Sequence, residues 1–218
     1  LRRHMATQPP HTPPEAGTLA DAPALADAVA ISVDTRSATV AAAAVQAGAD
    51  IVNDVSAGLA DASMLPTVAR LRVPIVLMHM RGTPANMQSL AVYDDVVKDV
   101  ASELSARAAA ASEVGIPRWA VMLDPGIGFA KTFEHNLTLL KRLGEFASLA
   151  DGAPILVGAS RKAFIGAICE QPEPLQRDWG TSAACCAAIV GGAAVLRVHN
   201  TQAMRQVADV MDAIRLGG

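Results

Sequence analysis

The sequence predicts an α/β fold, a TIM-type (β/α) barrel, on three observations: six short apolar runs, longer segments of helical period between them, and polar residues at the same end of every run. With 218 residues and 51% hydrophobic content the chain can bury a full core, and its length suits one domain better than two.

Each unit pairs one run with one helical segment. The first run, Ile31 to Val33, ends at Asp34 and is followed by a helix from Ser37 to Gln46, stopped by Gly48. The second, Asp50 to Val52, ends in Asn53 and Asp54 and precedes a helix from Ala62 to Leu71. The third, Pro74 to Met78, ends at His79, and its helix spans Tyr93 to Val114 before Gly115. The fourth, Ala120 to Leu123, ends at Asp124, with a helix from His135 to Leu143. The fifth, Pro154 to Val157, leads past Gly158 and Ala159 into Ser160, Arg161 and Lys162, with its helix from Gly180 to Val190. The sixth, Ala193 to Val198, carries Arg197, ends at His199, and precedes a helix from Thr201 to Arg215. The runs are almost wholly apolar, as expected of parallel strands covered on both faces. Glycines just beyond the periodic segments are helix stops.

A complete eight-unit barrel needs roughly 31 residues per unit, so six units and a leader fit this length and eight do not. The sequence therefore predicts a barrel lacking its first two strands. A doubly wound open sheet would also take six strands, and periodicity alone does not choose between the two. The polar strand ends favour the barrel, where they converge on one rim. Taken singly, Asp34 could cap a helix and Asp124-Pro125-Gly126 could be a turn. Turn chemistry is usually served by Gly, Ser and Asn, however, and not by Lys, Arg and His.

Residues 1–30 read as a Pro- and Ala-rich leader or linker, and 31–218 as the barrel domain. The start at Leu1 and the lack of an apolar signal core in LRRHM predict an N-terminally truncated chain. The net charge of -3, with 18 scattered Lys and Arg, argues against a nucleic-acid partner. No apolar stretch reaches the roughly 18 to 20 residues of a bilayer span. Cys169, Cys185 and Cys186 form no C-x-x-C pair and read as small packing residues in a reducing compartment.

The polar set fits a flat heterocycle bearing phosphates. Carboxylates such as Asp34 and Asp124 can accept paired hydrogen bonds from an N-C-N donor edge of the kind an aminopyrimidinone presents, and Asn53 can both donate and accept. Lys162, Arg197 and His199 suit an anionic leaving group or a ring carbonyl.

The strings SVDT (Ser32 to Thr35), GADIVNDVSAG (Gly48 to Gly58), MHMRGTP (Met78 to Pro84), LDPGIGFAKT (Leu123 to Thr132), LVGASRK (Leu156 to Lys162) and RVHN (Arg197 to Asn200) resemble dihydropteroate synthases, in this order and spacing. The match runs from Ile31 to about Ile214, and the wording of NDVSAG, MHMRG and RVHN is similar to plant and algal versions. In those, the domain commonly follows a hydroxymethyldihydropterin pyrophosphokinase domain in one mitochondrial polypeptide. The resemblance implies a transferase of folate biosynthesis. It would join 7,8-dihydropterin-6-ylmethyl diphosphate to p-aminobenzoate, giving 7,8-dihydropteroate and pyrophosphate, with Mg²⁺ on the diphosphate. It also implies roles. Asp34, Asn53, Asp124 and Lys162 would bind the pterin, with Met78, Phe129 and Gly158 lining its slot. Arg197, Val198 and His199 would hold the diphosphate, and Ser160 and Arg161 would border the p-aminobenzoate channel. Lys162, Arg197 and His199 would be the catalytic set, acting by electrostatics and positioning while the diphosphate leaves and the aniline nitrogen captures the pterin-methyl cation. The partners implied are these small molecules and a second copy of the chain, since the family usually dimerises through its last helices and Met204 to Ile214 has an apolar face. The compartment implied is the cytoplasm or, for a plant or algal form, the mitochondrion.

Against the family pattern, the first strand with its Asn-x-Thr-Pro-Asp-Ser-Phe loop, which carries the magnesium-binding Asn, has no counterpart, so no metal ligand is assigned in this chain. The Ser-Thr-Arg-Pro-Gly loop of the second strand is missing too. A non-catalytic pterin-binding fragment or pseudoenzyme is therefore a rival reading. A methyltetrahydrofolate-binding methyltransferase domain is another, opposed by the Ser160 to Lys162 and Arg197 to His199 strings, because that chemistry has no pyrophosphate to hold.

Overall fold

The computed structural model describes residues 29–217, and the fold lies in the unit Ile31–Gly218. The leader expected over 1–30 falls, apart from Val29 and Ala30, outside the described residues. Six parallel strands follow in order: β1 (Ser32–Asp34), β2 (Ile51–Asp54), β3 (Ile75–Met78), β4 (Val121–Asp124), β5 (Leu156–Val157) and β6 (Val195–Leu196). β1 to β4 form one sheet in sequence order and β5 pairs β6, while a bridge between Leu123 and Ile155 joins the two sheets into a single arc. This is a parallel (β/α) arrangement, as the apolar runs require.

Among the described residues, the outer edges of β1 and β6 carry no strand partner. The two ends of the arc nevertheless meet through side chains, because Arg197, just past β6, forms an ion pair with Asp34 at the end of β1. The sheet therefore curves back on itself as a barrel does, which a doubly wound sheet does not.

The helices are α1 (Ala38–Gln46), α2 (Met64–Leu71), α3 (Val96–Glu113), α4 (Phe133–Lys141), α5 (Leu143–Leu149), α6 (Ala163–Ile168), α7 (Asp178–Val190) and α8 (Thr201–Leu216). Caps explain several starts. Asp95 accepts from the backbone of Val97 and Lys98, and Thr132 forms a capping box with His135. At the start of α1 the cap is Ser37, which leaves Asp34 free for another role.

Two departures from the sequence expectation concern helices. The single helix expected over His135 to Leu143 is two, broken at Arg142, whose guanidinium reaches both Asp95 and Glu145. α6 has no counterpart in the sequence expectation, since its six residues are too few to show a period. The cysteines also divide: Cys185 is buried, whereas Cys169 at the end of α6 is exposed, against the expectation that it packs as a small apolar residue.

The core lies between strands and helices and includes Val52, Met64, Ile75, Leu77, Leu104, Leu123, Leu139, Phe146 and Ile155. No described helix is long and apolar enough to cross a membrane. What matters for the site is direction: all six strands are parallel, so their C-terminal ends share one rim.

Candidate active site

Strand register brings the polar ends together. Asp34 sits opposite Asn53 in the ladder, and Met78 opposite Asp124. Asn53 donates its amide to Asp34 Oδ1 at 2.7 Å, while its own Oδ1 is buried with no hydrogen-bond partner. A buried, unpaired acceptor costs about 1–3 kcal/mol, so it marks a place where a donor from outside the chain is expected.

Asp124 divides its two oxygens between structure and site. Oδ1 accepts the Gly126 backbone N–H at 2.8 Å, closing the Asp-Pro-Gly turn. Oδ2 points towards Gly158, where an added Cβ would stand 4.0 Å from it and 3.8 Å from Arg197 Cβ. Gly158 thus keeps open a slot between Asp124 and Arg197. Burial pushes the Asp124 carboxyl up to about 6, against the pull of its turn hydrogen bond and of Lys131, Lys162 and Arg197.

The turn itself depends on glycine. Gly126 has φ +71°, and a Cβ there would overlap the His79 carbonyl oxygen. The loop then carries Phe129, half-buried, over Lys162, whose Nζ lies 4.0 Å from the centre of the Phe129 ring. Burial lowers the Lys162 amine below its ordinary range, with Asp124 opposing. Met78 is buried at the end of β3 and lies beside Asp124 in the ladder.

Next to this slot is a cleft of about 350 Å³ lined by Gly158, Ser160, Arg161, Lys162, Pro174, Arg197 and His199. Ser160 Oγ lies 2.9 Å from His199 Nδ1 and accepts the His199 backbone N–H at 3.3 Å. If the hydroxyl donates to Nδ1, the ring proton sits on Nε2 and is available to an anion in the cleft.

Not every expected residue faces the cleft. The side chain of Val198 turns away, lining a groove with Ile189, Met204 and Arg205 against α8, because alternate residues past β6 point to opposite faces. Arg161 borders the cleft, but its guanidinium is held by Asp178 at 2.7 and 3.0 Å. Two further polar strand ends are structural. Asp54 is fully buried and binds its own loop through Ser56 and Gly58. His79 turns away towards Glu103 on α3.

Residues that the sequence reading missed support the cleft. Asp178 also accepts from Asn200 at 3.0 Å, tying the start of α7 to the loop after β6. Its carboxyl is held near 2 by the Arg161 and Asn200 hydrogen bonds. Asn200 closes the RVHN string and was within reach of inspection, whereas Asp178 carries no local signal.

Fold and site together define a parallel (β/α) barrel protein with a polar cleft at the rim formed by its strand ends. The profile of the pterin binding enzyme family matches residues 16–199. A dihydropteroate synthase from Synechocystis sp. is 48% identical over 186 residues, spanning 85% of this chain and 64% of that protein. The mitochondrial folate synthesis bifunctional protein of Arabidopsis thaliana is 48% identical over 193 residues, 84% of this chain and 35% of that protein. Among solved structures, the dihydropteroate synthase of Thermus thermophilus in complex with 6HMPPP superposes with a TM-score of 0.81 at 44% identity, covering 88% of this chain and 74% of that one. The chain belongs to the pterin binding enzyme family, and it spans just under two thirds of the Synechocystis relative and about a third of the Arabidopsis one.

Proposed function

We propose that the chain carries the pterin-binding and catalytic rim of a dihydropteroate synthase. The reaction joins 7,8-dihydropterin-6-ylmethyl diphosphate to p-aminobenzoate and gives 7,8-dihydropteroate and pyrophosphate. The observation that carries this reading is the buried, unpartnered Asn53 Oδ1, set beside Asp34 and on the same strand-end rim as Asp124. A ring edge with several N–H donors satisfies all of these groups at once, and a simple phosphate ester satisfies none of them.

In this reading Asp124 Oδ2, Asn53 and Asp34 take the donor edge, and Lys162 and Phe129 cover the ring. Arg197 and His199 meet the diphosphate at the cleft. The C–O bond to the diphosphate breaks, the leaving charge falling on oxygens facing these cations. The p-aminobenzoate nitrogen forms the new C–N bond and gives up one proton. The chain supplies position and charge rather than a nucleophile. Ser160 and the Arg161 backbone border the side from which p-aminobenzoate would enter.

The family resemblance calls for Mg²⁺ on the diphosphate. Among the described residues no three His, Cys, Asp or Glu side chains converge as a metal site, and the cleft mouth offers guanidinium and imidazole groups. These residues suit a diphosphate, and no described residue is assigned to the metal. The same cationic mouth speaks against a methyl transfer from a folate, which leaves no pyrophosphate behind. Homodimerisation fits the exposed Val210 and Ile214 on α8, and a purely monomeric elution profile would refute it.

The test is to incubate the chain with the dihydropterin diphosphate, labelled p-aminobenzoate and Mg²⁺, and to assay labelled dihydropteroate. Product supports the proposal. Tight pterin binding without product supports the non-catalytic pterin-binding reading in its place.

A further inference from the structure

Next to the Asp124 turn lies a polar network that the proposed reaction does not use. Lys131 is 3% exposed, and its Nζ is 3.0 Å from both His79 Nδ1 and the Phe129 carbonyl oxygen. On the other side of the ring, His79 Nε2 is 3.0 Å from Glu103 Oε2. Glu103 also pairs with Arg81 and is 44% exposed, so the network ends at the surface. One proton arrangement satisfies every group. Lys131 donates to Nδ1 of a neutral imidazole, and Nε2–H donates to the Glu103 carboxylate.

The network is locked to the pterin site through backbone. His79 N donates to the Asp124 carbonyl oxygen at 2.9 Å. Lys131 Nζ lies 3.6 Å from where a Gly126 Cβ would stand, directly under the turn that Asp124 Oδ1 closes. Tyr93 seals the outside: its hydroxyl donates to the Ala130 carbonyl at 2.8 Å and Arg81 stacks 4.0 Å over its ring. No carboxylate is within ion-pair distance of this buried amine among the described residues.

We propose that Lys131 is a positioning residue for the pterin-binding carboxylate, a buried amine coupled through His79 to Glu103 whose positive charge under the turn keeps Asp124 ionised to receive the ring. This deepens the pterin-binding reading and rests on it. Lys131 faces His79 and Arg81 after β3, Tyr93 in the loop before α3, Glu103 on α3, Asp124 on β4 and His135 on α4. Asp124 faces Lys131, Lys162 and Arg197. Burial brings the Lys131 amine down to about 7, with Asp124 and Glu103 holding it up, so its charge is adjustable near neutral pH.

The experiment is a fluorescence titration of the chain with 6-hydroxymethylpterin across roughly pH 5 to 9, for wild type, Asp124→Asn, Lys131→Met, Lys131→Arg and Glu103→Gln. Wild-type affinity should fall on the acid side as Asp124 protonates. Lys131→Met should move that limb upward by about one pH unit, weakening binding about tenfold at pH 5 and about twofold at pH 7. Glu103→Gln, at a half-exposed position outside the core, should move the limb the same way by less, and Lys131→Arg should restore it. A merely structural lysine would alter affinity at all pH values and leave the limb in place. Lys131→Met and Glu103→Gln proteins that keep the wild-type limb would overturn the proposal while pterin binding stands. A wild-type chain that does not bind the pterin, or an Asp124→Asn chain that binds it normally, would overturn the pterin-binding reading and this proposal with it.

Discussion

Replacing Asp124 by Asn should make the unliganded protein more stable and the pterin complex much weaker. In the folded chain the carboxyl is 4% exposed and its pKa is raised from 3.8 to about 6, chiefly by burial. For an acid raised on folding, the stabilising contribution is complete below the unfolded pKa and is lost as pH rises through the folded one. The wild-type protein therefore loses stability between about pH 4 and about pH 6, by on the order of 3 kcal/mol. Asn has the same shape, keeps an acceptor for Gly126, and carries no charge to bury. Above pH 7 the variant should melt higher by roughly 6–12 °C, using about 2–4 °C per kcal/mol for a chain of this size. Near pH 4 the two proteins should melt together. Binding moves the other way. With its oxygen engaged in the turn, Asn presents an NH₂ to the donor edge of the ring, so charge-assisted hydrogen bonds of about 1.5–3 kcal/mol each are lost and a repulsion is added. A loss of about 10² to 10³ in pterin affinity is expected. Thermal unfolding by circular dichroism at pH 4 and pH 8, with pterin titration at pH 8, measures both quantities. A variant less stable than wild type at pH 8, or one with unchanged pterin affinity, would refute the assignment of Asp124 as a strained binding group.

Three further outcomes test separate parts of the site. Gly126→Ala should lower stability by about 2–4 kcal/mol in urea unfolding, since its φ of +71° and the His79 carbonyl leave no room for a methyl group, and pterin binding should fall with it. Asn53→Ala should weaken pterin binding by about 10- to 100-fold in calorimetry with a smaller effect on melting, because the oxygen removed has no partner in the unliganded chain. Asp178→Asn should raise KM for p-aminobenzoate more than KM for the pterin diphosphate, because it frees the Arg161 guanidinium and loosens the Asn200 tie beside the cleft. Equal changes in the two constants would count against that division of the cleft.

Much of this was legible in the sequence. Six apolar runs correspond to six parallel strands, because a strand covered on both faces has no polar face to show and its polar residues collect where it ends. That rule pointed to Asp34, Asn53, Asp124, Lys162, Arg197 and His199 as polar groups at or just past the strand ends. It could not separate Asn53 from Asp54 or Met78 from His79, since adjacent residues at a strand end look alike in sequence while pointing to opposite faces. Only the folded chain sends Asp54 into its own loop, His79 towards α3 and Val198 against α8. The short helix α6 and the break at Arg142 were likewise invisible, one being too brief for a period and the other depending on Asp95, distant in sequence. Above all, local pattern assigns residue types and strand ends, but the charge on a group depends on what surrounds it. That Asp124 is pushed towards neutrality, and that Lys131 lies buried beneath it on a chain of bonds to Glu103, follows from burial and from contacts between residues far apart in sequence.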